Sequence, residues 1–162
     1  MRVSGGSVAS GAPGSALAAA AAGSNPTGSV INCGNIIDAV VARLDGSDLN
    51  ATATAEGDGT FNEIEQRLGT SLEWGQSLDE AYSQVQARGP GTMAVVGIAY
   101  SGGTASHVVI IANDRGTVGI VEGQDWGPGQ GAGVIRDPAA ANARYNSDGG
   151  SDIGIGIIPP RG

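Results

Sequence analysis

The order of periodicities along this 162-residue chain predicts an α+β fold, helices first and antiparallel strands after. Three observations carry the prediction. Apolar residues at 36, 37, 40, 41 and 44 fall on one helical stripe. Ser77, followed by Asp79 and Glu80, marks the start of a further helix. From residue 92 onward the period shortens to that of strands, ending in the alternating Ile153-Gly-Ile-Gly-Ile-Ile158.

Taken in order, residues 1–28 are mostly Gly, Ser and Ala, with two prolines and no aromatic. That composition predicts a flexible linker or tail ahead of a folded domain spanning 29–162. The Ala-rich run 16–22 is too short to be a stable helix alone. A Gly/Ser run occupies the place of a signal peptide's apolar region, so no secretory signal is expected. No run approaches 18 apolar residues, so no membrane insertion is expected either. Asn25-Pro26-Thr27-Gly28 is a turn, and the helix carrying the first stripe is ended by Asp45-Gly46. The polar, acidic stretch 45–59 reads as a loop placed to cover a cleft. Residues 61–68 read as a short helix, Leu72 and Trp74 as a docked segment, and 78–88 as a helix stopped by Gly89-Pro90-Gly91. A buried strand over 92–100 and a turn at 101–103 precede a hairpin of 106–112 and 117–122. The Gly-rich stretch 127–133 reads as a flexible loop. It neither matches G-x-G-x-x-G nor opens a helix, so a dinucleotide reading is weak. A helical turn over 137–144 precedes the last strand.

Composition excludes several chemistries. The net charge of −8 leaves no basic patch for nucleic acid. All eight cationic residues are arginine, which rules out a Schiff-base lysine and a P-loop lysine. One cysteine forbids an internal disulfide, and with one histidine it cannot make a zinc site of the usual composition. No metal and no other cofactor is expected.

Those two single residues define the candidate site. Cys33 falls at a helix N-terminus, where the dipole lowers a thiol's pKa. His107 opens the first strand of the hairpin. With the turn centred between Asp114 and Arg115, Asn113 faces Gly116 and His107 faces Glu122, on one side of the ladder. An odd number of turn residues would move Glu122 off that side and leave Asp125 as the fallback acid. The reading is a Cys33–His107–Glu122 triad: thiol nucleophile, general base, orienting acid. Each residue also has a plainer reading, as a core cysteine, a satisfied structural histidine and a solvated acid at a strand end.

The run Asn25-Pro26…Asn32-Cys33-Gly34-Asn35…Asp38…Leu44-Asp45-Gly46 resembles the N-x-C-x-N region of papain-fold toxin domains of bacterial polymorphic toxins, nearest those related to glutamine-deamidating effectors. In that family a motif near G-H-x-x-N-V-V and a strand ending in D-G-Q follow. Here they are Ser106-His107-Val-Val-Ile-Ile-Ala-Asn113 and Glu122-Gly123-Gln124. The middle sections 69–74 and 89–92 are also similar. The resemblance implies a papain-like Cys-His-acid fold, its N-terminal helices packed on an antiparallel sheet, with Cys33 as nucleophile. Ile36 stands where many relatives carry a second cysteine, and Glu122 where the family has aspartate. Gln124 matches the family's glutamine and would position substrate or the histidine strand. Asn32, or the backbone N–H of Cys33, would supply an oxyanion donor.

What the resemblance implies is a secreted or injected effector that acts as a monomer in the cytoplasm of a recipient cell, carried there on a larger protein. It would deamidate a glutamine of a target protein and be held in check by a cognate immunity protein. The alternatives are a cysteine protease with the same triad and a non-catalytic binding or structural module of a capsid- or tail-associated protein.

Overall fold

A computed structural model describes residues 12–160 except 58 and 104. The elements in chain order are α1 (Ser15–Ala21), α2 (Cys33–Leu44), α3 (Phe61–Leu68), β1 (Glu73–Gln76), α4 (Leu78–Arg88), β2 (Met93–Ala99), β3 (Ser106–Asp114), β4 (Thr117–Glu122), β5 (Gly133–Ile135), α5 (Pro138–Tyr145) and β6 (Asp152–Ile157). The strands form one antiparallel sheet in the order β1-β6-β2-β3-β4-β5. Alternation along the strands sorts the core onto two faces. Val95, Val108, Ile110 and Val121 pack with Leu17, Ile37, Val40 and Ile64 of α1, α2 and α3. Val96, Ile98, Val109 and Ile120 pack with Leu78, Val85, Ala141 and Tyr145 of α4 and α5. The α+β expectation therefore holds, with helices on both faces of the sheet.

Local signals account for the helix starts. Ser77 Oγ accepts the Glu80 N–H at 3.0 Å, as an N-cap should. Thr60 and Glu63 form a reciprocal capping box at α3, a signal present in the sequence as Thr-x-x-Glu. Gly46, at φ 80°, follows the end of α2 in the left-handed region that L side chains avoid. The docked segment containing Trp74 is an edge strand of the sheet. The reason lies in the alternation of β6, whose glycines face α3. Gly97 and Gly154 are paired across β2 and β6, and Trp74 lies over both. A Cβ on Gly154 would sit 2.8 Å from the Trp74 ring. Phe61 meets the same indole edge-on at 5.0 Å. Part of the stretch 127–133 is likewise ordered by pairing: β5 begins at Gly133, which faces Glu122.

Two expectations are corrected. The first concerns the tail over 1–28. Residues 1–11 lie outside the described residues, but 12–28 belong to the folded domain. Leu17, Ala20 and Ala21 are buried in the core. Asp114 Oδ2 accepts the N–H groups of Gly14 and Ala16 at 2.8 and 3.0 Å, capping α1 from across the chain. Arg115 donates to Ala12 O and Ser15 Oγ. A seven-residue helix that is marginal alone is thus fixed by tertiary contacts. The Arg115 guanidinium, with the Ala16 and Gly14 N–H groups, holds the Asp114 carboxyl below its usual pKa against the opposing effect of burial. Asp114→Ala is expected to cost about 0.5–2 kcal/mol, the range for a lost N-cap, read as a lower thermal midpoint.

The second correction is the hairpin register. The turn is Arg115-Gly116, with φ of 53° and 100°, and Asp114 faces Thr117. Asn113 is a buried strand residue whose Oδ1 accepts the Gly116 N–H at 2.8 Å, which draws the turn one residue later than expected. Every partner shifts by two. A shift of two preserves the face where a shift of one would reverse it. His107 therefore meets Glu122 on the diagonal rather than directly opposite.

Candidate active site

The imidazole and the carboxylate are in contact. His107 Nε2 lies 2.7 Å from Glu122 Oε1, with the two side chains 4% and 1% exposed. With Nε2 engaged by the acid, Nδ1 is the ring nitrogen left for other chemistry. Burial raises the Glu122 pKa, but the contacts around it outweigh that and hold it below the usual value. They are the His107 ring, the Tyr145 hydroxyl donating to Oε1 at 2.6 Å and the Gln124 N–H donating to Oε2 at 3.0 Å. Arg144 adds a guanidinium 3.8 Å away. Burial first, then the Glu122 charge, push the Tyr145 hydroxyl pKa well up, so Tyr145 keeps its proton as a donor.

Aromatic rings close the histidine in. Trp126 meets His107 edge-on at 4.8 Å, and Tyr145 stacks on it at 5.7 Å. Arg144 sits 4.6 Å over the Trp126 ring and donates to Gln124 O. These three residues were not singled out from sequence. Trp126 carried a signal, since it lies two residues beyond Gln124; Arg144 and Tyr145 reach the site from α5 and carried none.

Gln124 links this group to the cysteine. Its backbone N–H bonds Glu122, while its side-chain Nε2 donates to Asn32 Oδ1 at 3.3 Å and its Oε1 accepts from the Trp126 indole at 2.8 Å. Asn32 immediately precedes Cys33, the half-buried first residue of α2. The Asn32 side chain does not cap that helix, and no acidic residue lies in its first turn, so the dipole at Cys33 is not offset locally. The stretch 45–59 lies alongside: Thr54 O accepts from Asn32, and Thr54 Oγ1 and Glu56 O accept from Asn35.

Two candidates take other roles. Asn32 Nδ2 donates to Asn25 Oδ1 at 2.9 Å and to Thr54 O at 2.6 Å, so both amide hydrogens are engaged and the side chain is not the expected oxyanion donor. Asp125 is exposed, and its Oδ1 accepts the Gly127 N–H at 2.9 Å. Between the two acids weighed for His107, the contact belongs to Glu122.

Neither the curated proteins nor the solved structures give a match to this chain. A family described as papain fold toxin 1, glutamine deamidase, matches residues 31–126. The span takes in every residue from Asn32 to Trp126 discussed above and leaves Arg144 and Tyr145 beyond it. With more than half of its length matched, the chain belongs to the papain fold toxin 1, glutamine deamidase, family.

Proposed function

We propose that the protein is a toxin domain that deamidates a glutamine side chain of a target protein through a thioester on Cys33. The observation that carries this reading is the buried His107–Glu122 pair, joined by Gln124 to the residue preceding the only cysteine. In the first half-reaction the Cys33 thiol proton passes to His107 as Sγ adds to the carboxamide carbon, and the C–N bond breaks as His107 gives that proton to the departing ammonia. In the second, His107 takes a proton from water, whose oxygen displaces the thiol and leaves glutamate. Glu122 keeps the ring oriented and stabilises its protonated form. The target is taken to be a protein of a recipient cell, with a cognate immunity protein as the second partner.

Intact-mass measurement of candidate target proteins tests this. Incubation with the wild type is expected to give the small mass gain of an NH2-to-OH exchange, and Cys33→Ala is expected to give none. Fragments in place of that gain would make the protein a protease with the same residues. Equal modification by wild type and Cys33→Ala would remove the thiol from the reaction.

A further inference from the structure

The engaged amide of Asn32 leaves the carboxamide oxygen of a bound glutamine without the side-chain donor expected for it. Among the described residues, two buried side-chain polar atoms have no hydrogen-bond partner: the Tyr100 hydroxyl and Arg144 Nε. Both can donate; Arg144 lies 3.8 Å from Glu122, and Tyr100 packs against the core on the same face of the sheet. Buried polar groups are almost always paired, and beside a candidate catalytic pair an unpaired donor is a group that a bound substrate can complete.

Strand register places Tyr100 on the right side of the sheet. Its N–H bonds Ala105 O at 3.1 Å, continuing the β2–β3 ladder one step past Ser106. Ile98 faces His107 directly, and Tyr100 lies two residues on, so Ile98, Tyr100 and His107 share a face. There its ring packs against the same core as Trp126. Burial pushes the Tyr100 hydroxyl up to about 12, with the charges of Glu122 and Cys33 adding to the rise and Arg144 opposing it. The hydroxyl therefore keeps its proton near neutrality.

We propose that the Tyr100 hydroxyl is a catalytic donor to the carbonyl oxygen of the substrate glutamine's carboxamide. The proposal rests on the deamidase reading above. As the Sγ–C bond forms, the carbonyl π pair moves to oxygen, and the Tyr100 O–H bonds that developing anion without transferring its proton. Collapse restores the carbonyl, breaks the C–N bond and releases ammonia with the proton from His107.

Ammonia release from benzyloxycarbonyl-glutaminyl-glycine, used as a minimal glutamine probe, tests it with wild type, Tyr100→Phe and Cys33→Ala. Tyr100→Phe is expected to lower kcat about 10²–10³-fold, the usual effect of removing one oxyanion donor, with KM little changed. Its thermal midpoint should not fall, because the lost hydroxyl has no partner in the resting protein. The pH profile of Cys33 alkylation by iodoacetamide should stay as in the wild type. A kcat for Tyr100→Phe near that of the wild type overturns the proposal and leaves the deamidase reading standing. So does a loss accompanied by a lower midpoint or a shifted alkylation profile, since either marks a structural role. No Cys33-dependent ammonia release from the wild type overturns the deamidase reading itself.

Discussion

Glu122→Gln is expected to lower kcat for glutamine hydrolysis by about 10³–10⁴-fold, the scale on which a neutralised orienting acid disables a histidine base. A glutamine fills the same volume but carries no charge to stabilise the imidazolium. It also presents an NH2 where the carboxylate now receives only donors. Oε1 receives the Tyr145 hydroxyl and contacts His107 Nε2, and Oε2 receives the Gln124 N–H. One orientation of the amide turns its NH2 toward Gln124, the other toward His107 and Tyr145. Either one leaves a buried donor unmet, at about 1–3 kcal/mol. Glu122→Asp keeps the charge, and its activity is expected to fall between those of wild type and Glu122→Gln. Ammonia release and thermal midpoints on the three proteins check this. Glu122→Gln within tenfold of the wild type would take the acid out of the reaction.

The same variant separates the pH dependence of stability. The folded-state pKa of Glu122 lies below its ordinary value of 4.5. A group depressed in this way contributes stability that is present above pH 4.5 and lost as the pH falls through the folded pKa. Asp114 and Asp148 are also held below their ordinary values, so the wild type's acid sensitivity has several sources. The difference between wild type and Glu122→Gln isolates one of them: it should be largest above pH 4.5 and shrink below it.

The hairpin shows how much of the site could be read from sequence. The turn lies one residue later than expected, yet the histidine and its acid still share a face, because the error is of even parity and side chains alternate with a period of two. Helix boundaries at Phe61 and Leu78 are written into adjacent capping residues, so local reasoning reaches them. Tyr145 and Arg144 are different. They meet Glu122 and Trp126 because α5 packs on the face that carries His107, and nothing next to them in sequence says so. Asn32 is an intermediate case. Its place before the cysteine was legible, but the competition for its amide comes from Asn25 and Thr54, seven and twenty-two residues away. The small residues of the N-terminal segment misled for a related reason. A composition that suits a linker also suits close packing: a Cβ on Gly14 would come within 2.8 Å of Thr117 Cγ2.

Leu17→Ala is accordingly expected to destabilise the domain by about 2–5 kcal/mol, the range for truncating a fully buried leucine. At about 2–4 °C per kcal/mol for a chain of this size, the thermal midpoint should drop by several degrees or more. Leu17 is 0% exposed and sits in the core formed with α2 and β3. The loss should also reach the candidate site. The segment that follows α1 supports the site from behind: Ser24 O accepts the Ala53 N–H, and Ser24 Oγ lies against Gly123, where a Cβ would meet it at 2.8 Å. Gly123 is the residue between Glu122 and Gln124, so loosening α1 frees the segment that carries both. Chemical denaturation and ammonia release on the same preparation check the two effects together. A flexible tail would give a change within about 0.5 kcal/mol and no effect on turnover. That result would place Leu17 outside the core and detach α1 from the support of the His107–Glu122 pair.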